Sequence, residues 1–207
     1  MEPIREILYA NLQELGLGGD EVQYHKCGLE RYVFSYIDAE GLLRYRKIVM
    51  HPNNKYGPDE GIKTESWLSY LGIGNYRVSI ESDHQIIDTP YMGQDLYSLK
   101  LGREFWDAFH RTYYTFDGFN TLEIVGGLDE LEERLIEFQR LTDLVHVDLF
   151  ATGRPNNIVW NSFDPRLPAL NVIDYESFQV ADKENVARFH GRWNTAKEYI
   201  FRNLTVY

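Results

Sequence analysis

The chain has 207 residues, 43% of them hydrophobic and 26% charged, with a formal net charge of −11. That length suits one domain, or two small lobes around a cleft, and carries enough apolar material for a real core. The acidity argues against general affinity for nucleic acid or anionic lipid, which needs a basic face, and the one cysteine, Cys27, excludes a disulfide framework and any zinc site of several thiolates.

The first eight residues are too charged for a secretory signal, and no stretch nears the roughly 18 apolar residues of a membrane span. With the single cysteine, this leads us to expect a soluble, cytoplasmic protein. Ile4, Ile7, Leu8, Leu12 and Leu15 follow helical spacing, and Gly16, Gly18 and Gly19 stop that helix. Tyr24–Cys27, Tyr32–Ile37 and Leu42–Met50 are rich in aromatic and β-branched residues, which predicts three antiparallel strands. A polar loop over His51–Gly61 leads to a helix over Ile62–Leu71, then to strands over Arg77–Glu81 and Gln85–Thr89. Beyond Gly93 the texture is helical, with one candidate over Phe105–Tyr114. Leu128, Leu131, Leu135, Phe138, Leu141 and Val145 form the clearest amphipathic stripe, which runs into His146. Ile158–Trp160 and Ala169–Ile173 suggest a short hairpin, and Asn185–Asn203 a closing helix. The expectation is an α+β protein: an N-terminal helix over 1–20, a β-rich lobe over 21–92 and a helical lobe over 93–207.

Three polar positions stand out in the second half. Asp148 follows His146-Val147, Asn157 precedes the apolar run Ile158-Val159-Trp160, and Asp174 ends Asn171-Val172-Ile173. Phosphoryl transfer from Mg-ATP uses such a set: one carboxylate to receive a hydroxyl proton, and an amide plus a carboxylate to hold Mg²⁺. Other chemistries lack support. The six histidines show no metal-ligand spacing, Cys27 has no activating arrangement, and there is no Gly-x-x-x-x-Gly-Lys-Ser/Thr phosphate loop.

In this order the motifs resemble the protein-kinase-like superfamily from about Val22 to Phe178. With Val33 in the place of the valine after the glycine-rich turn, Gly28 falls on the central glycine, while Lys26 and Arg31 replace the outer two. Lys47 follows Val33 by 14 residues at the end of a strand, where the resemblance implies a grip on the α- and β-phosphates. Alternation places Tyr45, Lys47 and Val49 on one strand face and Arg46 and Ile48 on the other. The implied partner of Lys47 is Glu65, 18 residues on. The segment from Ile86 to Leu96 resembles the strand-to-hinge stretch that meets adenine, which brings in Thr89 and Tyr91.

His146-Val147-Asp148 resembles the kinase His-Arg-Asp and the aminoglycoside-kinase His-Gly-Asp, so His146 braces the loop and Asp148 serves as base. The metal-binding Asn of that pattern lies five positions after the Asp. Here position 153 is Gly, and Asn157, nine positions on, takes the role through a four-residue insertion, with Asn156 as the alternative. Asp174 resembles the Asp-Phe-Gly aspartate, with Tyr175 and Glu176 replacing Phe and Gly, a form closer to choline and aminoglycoside kinases.

Only 33 residues follow Asp174, and Val147 stands where an arginine binds an activation-loop phosphate. The outline is therefore similar to the minimal effector kinases of the OspG and NleH type, which bacterial pathogens inject into host cells. The resemblance implies ATP and Mg²⁺ as cofactors, protein Ser/Thr hydroxyls as acceptors, a truncated C-terminal lobe, an activating protein partner and a host-cytosol location. A small-molecule kinase, favoured by Asp-Tyr-Glu, and a partner-binding pseudokinase, favoured by the missing glycines, stay open.

Overall fold

A computed structural model describes residues 2–25, 31–50, 60–81, 83–95, 121–151, 153–155, 157–161 and 166–204. The fold is mixed α+β, and the chain divides into two compact units, Met1–Tyr91 and Met92–Tyr207. The expected helix over 105–114 and the loop over 51–59 lie outside the described residues. Among the described residues, no helix is long and apolar enough to cross a membrane.

In the first unit, α1 (Glu2–Leu15) is followed by β1 (Gln23–His25), β2 (Arg31–Ile37), β3 (Leu43–Met50), α2 (Glu60–Tyr70), β4 (Arg77–Ile80) and β5 (His84–Pro90). The strands form one antiparallel sheet in the order β1-β2-β3-β5-β4. Gly16, at φ +69°, ends α1: its N–H donates to Gln13 O while Leu17 N–H reaches Leu12 O, satisfying carbonyls that a helix end leaves open. The helix lies on the sheet face that carries Phe34, Tyr36, Ile48 and Met50, all buried with Leu12. Each fully buried side chain of that kind contributes about 1.5–3 kcal/mol.

The same face holds an ionic cluster that the strand pattern alone does not announce. Arg44 and Arg46 are buried, and so is Asp88, which lies opposite Arg46 in the β3–β5 ladder. Arg44 Nε donates to Asp88 Oδ1 at 2.8 Å, while Arg46 Nε and the Tyr36 hydroxyl donate to Oδ2 at 2.8 and 2.7 Å. Burial and the bond to Asp88 push the Tyr36 hydroxyl up to about 12. The outer guanidinium nitrogens go to Asn75 O from Arg44 and to Asn11 Oδ1 from Arg46. Above the cluster, Glu14 of α1 pairs with Arg77 of β4 across an open groove of about 620 Å³.

In the second unit, α3 (Thr121–Thr142) and α4 (Lys183–Leu204) accompany two small antiparallel sheets. One pairs β7 (Leu144–His146) with β10 (Phe178–Val180); the other has the order β6 (Gln94–Asp95), β8 (Ile158–Trp160), β9 (Leu170–Val172). Phe189, Trp193, Ala196 and Ile200 give α4 a buried stripe, and Lys197 ties it to Glu132 of α3 at 2.6 Å. The stripe on α3 does not continue to His146 as expected. Leu128, Leu131, Leu135 and Phe138 are buried, but Leu141 is exposed and the helix ends at Thr142. Asp143 takes the left-handed conformation at φ +57°, a break usually made by Gly, and Val145 belongs to β7. The second half is thus less purely helical than its texture suggests, because β6, β7 and β10 are too short to leave a periodic signal.

Candidate active site

The candidate residues of the first unit are best located by strand register, because residues paired across an antiparallel ladder share a face. Val33 lies opposite Lys47, which lies opposite Ile87; Arg31 faces Val49, and Tyr45 faces Thr89. Arg31, Val33, Lys47 and Thr89 therefore share one sheet face, the one turned away from α1. The alternation expected for β3 holds, since Arg44, Arg46, Ile48 and Met50 are buried on the α1 side. Tyr91 joins the Lys47 face by stacking on Tyr45 at 5.5 Å between ring centroids, and His25 also stacks on Tyr45, at 5.0 Å. Gly28 lies outside the described residues.

Glu65 does not meet Lys47 in this structure. The helix packs Thr64, Trp67 and Leu68 inward, which leaves Glu65 exposed, and among the described residues Glu65 forms no ion pair. Gly61 of α2 sits tight against Ile80 and near Gln85, so the first turn of the helix is held on the sheet.

In the second unit the loop after β7 is built around two polar side chains. His146 is fully buried, with Phe178 at its edge, and its Nε2 lies 3.0 Å from Ile173 O. A carbonyl only accepts, so Nε2 carries the proton. The lone pair on Nδ1 then receives the Asp148 N–H at 3.3 Å. A neutral ring satisfies both neighbours, in keeping with burial lowering the His146 pKa. His146 thus links the Asp148 loop to the strand that delivers Asp174.

Asn157 closes the loop from the other end. Its Nδ2 donates to Asp148 O at 2.6 Å, although nine residues separate them. Within the loop, Ala151 and Arg154 exchange backbone hydrogen bonds of 3.0 and 3.1 Å, with Gly153 at φ +79°. The ends of the loop therefore meet across nine positions. Asn156 lies outside the described residues.

Asp174 follows directly from the β8–β9 ladder. Ile158 pairs with Val172, and Ile173 N–H donates to Asn157 O at 2.9 Å, which sets Asn157 and Asp174 at the same end of the sheet. Asp174 itself is left-handed, at φ 67° and ψ 58°, where a non-glycine residue stores about 1 kcal/mol or more. Ser177 stabilises the bend: its N–H donates to Asp174 O at 2.8 Å and its hydroxyl to Oδ2 at 3.0 Å. Tyr175 and Glu176 are buried in the following 3-10 turn, and burial, with Glu176 alongside, raises the Tyr175 pKa. From α3, Arg134 donates to Leu170 O and to Asn171 Oδ1, fixing β9 from behind.

Asn157 and Asp174 carry the oxygen donors that a hard cation takes. The bond to Asp148 O orients the Asn157 amide with nitrogen inward, so Oδ1 is the atom left for a ligand, and Asp174 adds carboxylate oxygen. One or two protein oxygens completed by phosphates and water is a usual Mg²⁺ arrangement. Among the described residues, no group of three or more His, Cys, Asp or Glu is placed to hold a metal, so an all-protein cage is not built here.

Sequence reasoning missed Arg192, which reaches this loop from α4, and Ser177, which shapes the Asp174 bend. Neither has a local pattern that marks it. Compared with the known protein families and with the curated proteins, the chain matches none.

Proposed function

We propose that the protein is a Mg-ATP-dependent phosphotransferase with a two-lobed, kinase-like architecture, acting on protein Ser/Thr hydroxyls. The observation that carries this reading is the closed loop in which Asn157 holds the Asp148 carbonyl and His146 joins Asp148 to Ile173. That loop presents a half-exposed carboxylate, an oriented amide oxygen and a bent aspartate on neighbouring backbone. Asp148 would orient the acceptor hydroxyl and take its proton, while Asn157 and Asp174 would hold the Mg²⁺ that offsets phosphate charge. Lys47, among Arg31, Val33 and Thr89 on one sheet face, would supply the cation for the nucleotide phosphates.

The exposed Glu65 adds a functional element. Kinase activity requires the lysine–glutamate ion pair to be in place, and Glu65 is exposed on α2 without an ion pair among the described residues. We therefore assign the pair to an active state stabilised by a protein partner that contacts α2.

The test uses γ-labelled ATP with Mg²⁺, with the protein alone and with cell lysate. Label on protein that disappears in Asp174→Ala supports the reading, and Lys47→Ala should lose activity while keeping its melting temperature. Label confined to small molecules would instead favour a small-molecule kinase, to which the Asp-Tyr-Glu segment already points. No thermal shift with Mg-ATP would leave a partner-binding pseudokinase.

A further inference from the structure

The sequence offers no cation within the His146-Val147-Asp148 motif, yet the structure delivers one from a distant element. Arg192 stands in the middle of α4, beside the fully buried Trp193, so its backbone is anchored in the core of the second unit. Its Nη1 donates to Phe150 O, and the same nitrogen lies 4.0 Å from Asp148 Oδ1. Seven residues along the same helix face, Tyr199 sets its ring on the edge of Phe150 at 5.8 Å. Helix α4 thus grips Phe150 by both carbonyl and ring, two residues from the carboxylate assigned as base.

The geometry points to Arg192 as the positioning residue of the phosphotransfer loop, an inference that rests on the function proposed above. The guanidinium pins the backbone at Phe150 and lays its charge beside Asp148 without a direct hydrogen bond to it. The gap of 4.0 Å keeps the carboxylate available to a hydroxyl while offsetting its repulsion of incoming phosphate. An arginine suits both tasks because its planar fork can hold a carbonyl and still face a carboxylate; a lysine ammonium is a single point charge on a flexible stem.

The test compares wild type, Arg192→Ala and Arg192→Lys in Mg-ATP turnover, nucleotide thermal shift and melting temperature. The expected result is a kcat about 10- to 100-fold lower in Arg192→Ala, since misplacement of about 1 Å can cost a factor of 10². The KM for ATP and the nucleotide-induced thermal shift should stay near wild type, and Arg192→Lys should fall between. Millimolar guanidinium, against a matched sodium chloride control, should restore part of the kcat of Arg192→Ala, which a merely structural helix contact would not permit. Unchanged kcat in Arg192→Ala overturns the assignment, as does a loss that follows melting temperature and is not rescued in either variant. If wild type itself shows neither nucleotide shift nor turnover, the phosphotransferase reading fails and the role of Arg192 falls with it. Binding and turnover with an inert Arg192 would sink this inference alone.

Discussion

The Asn157 side chain donates to the Asp148 carbonyl at 2.6 Å across a loop of nine residues. This one bond decides both which way Asp148 is presented and which atom of Asn157 faces outward. Replacing Asn157 with Ala removes the bond and the outward oxygen together. We expect transfer activity to fall at least about 100-fold, and stability by about 1 kcal/mol. Asn157→Asp is the sharper probe. Its carboxylate is a better Mg²⁺ ligand but cannot donate to a carbonyl, so it should lose stability as well as activity. A fully active Asn157→Asp enzyme would remove the loop-closing role.

Asp174 combines the metal-holding role proposed for it with a strained backbone, and the two are separable. Asn tolerates the left-handed region about as well as Asp, whereas Ala does not. Asp174→Asn should therefore melt within about 0.5 kcal/mol of wild type. It should lose activity on the order of 10³-fold, because an amide holds Mg²⁺ poorly. Asp174→Ala should lose activity and about 1 kcal/mol of stability besides. Chemical denaturation alongside turnover separates the two.

His146 makes stability depend on pH in a stated direction. Burial lowers its pKa in the folded protein below the ordinary value of 6.5, so protonation favours the unfolded chain. The stabilising contribution is complete above about pH 6.5 and is lost as pH falls through the folded pKa. Melting temperature measured from pH 8 to 5 should drop more steeply in wild type than in His146→Asn. Parallel curves would mean that other groups carry the dependence.

The Arg44–Arg46–Asp88–Tyr36 cluster should be costly to break and of no consequence for chemistry. Arg46→Met leaves the buried Asp88 carboxylate with one charged donor fewer, a loss of about 2–4 kcal/mol. The variant should keep its nucleotide-induced thermal shift, because Arg46 lies on the α1 side of the sheet and Lys47 on the other. Loss of nucleotide binding in a folded Arg46→Met protein would contradict that division of faces.

Gly93 admits no side chain. A Cβ there would lie 2.3 Å from Trp160 O, and φ is +125°. Gly93→Ala should lose about 2 kcal/mol or more, from overpacking and from the backbone conformation together. Equilibrium unfolding in urea checks this directly, and a change under about 0.5 kcal/mol would refute the close approach.

Most helices and strands were legible because period 3.6 and period 2 are local properties of a chain. The α1 stripe and the β2 and β3 runs emerge with boundaries within two residues, while α3 begins at Thr121, seven residues before its stripe starts at Leu128. The exceptions have physical causes. Strands such as β7 and β10, each of three residues, are too short to show a period. The left-handed turn at Asp143 uses a residue that ordinarily does not mark a helix end. Spacing from Lys47 singles out Glu65, but helix rotation is set by Trp67 and Leu68 seeking the core, and that leaves Glu65 exposed.

The order of polar residues around short apolar runs, and the opposite facing of Arg46 and Lys47 on β3, can be read from the chain alone. These follow from chain spacing and strand alternation, which need no distant partner. Packing settles which of those faces α1 covers, that one carboxylate, Asp88, bridges two buried arginines, and that a nine-residue loop returns Asn157 to Asp148. Packing also brings Arg192 of α4 to the loop that carries Asp148. The reason is the same in each case: a buried charge or a donor without water takes its partner wherever packing supplies one, and distance along the chain does not enter that energy.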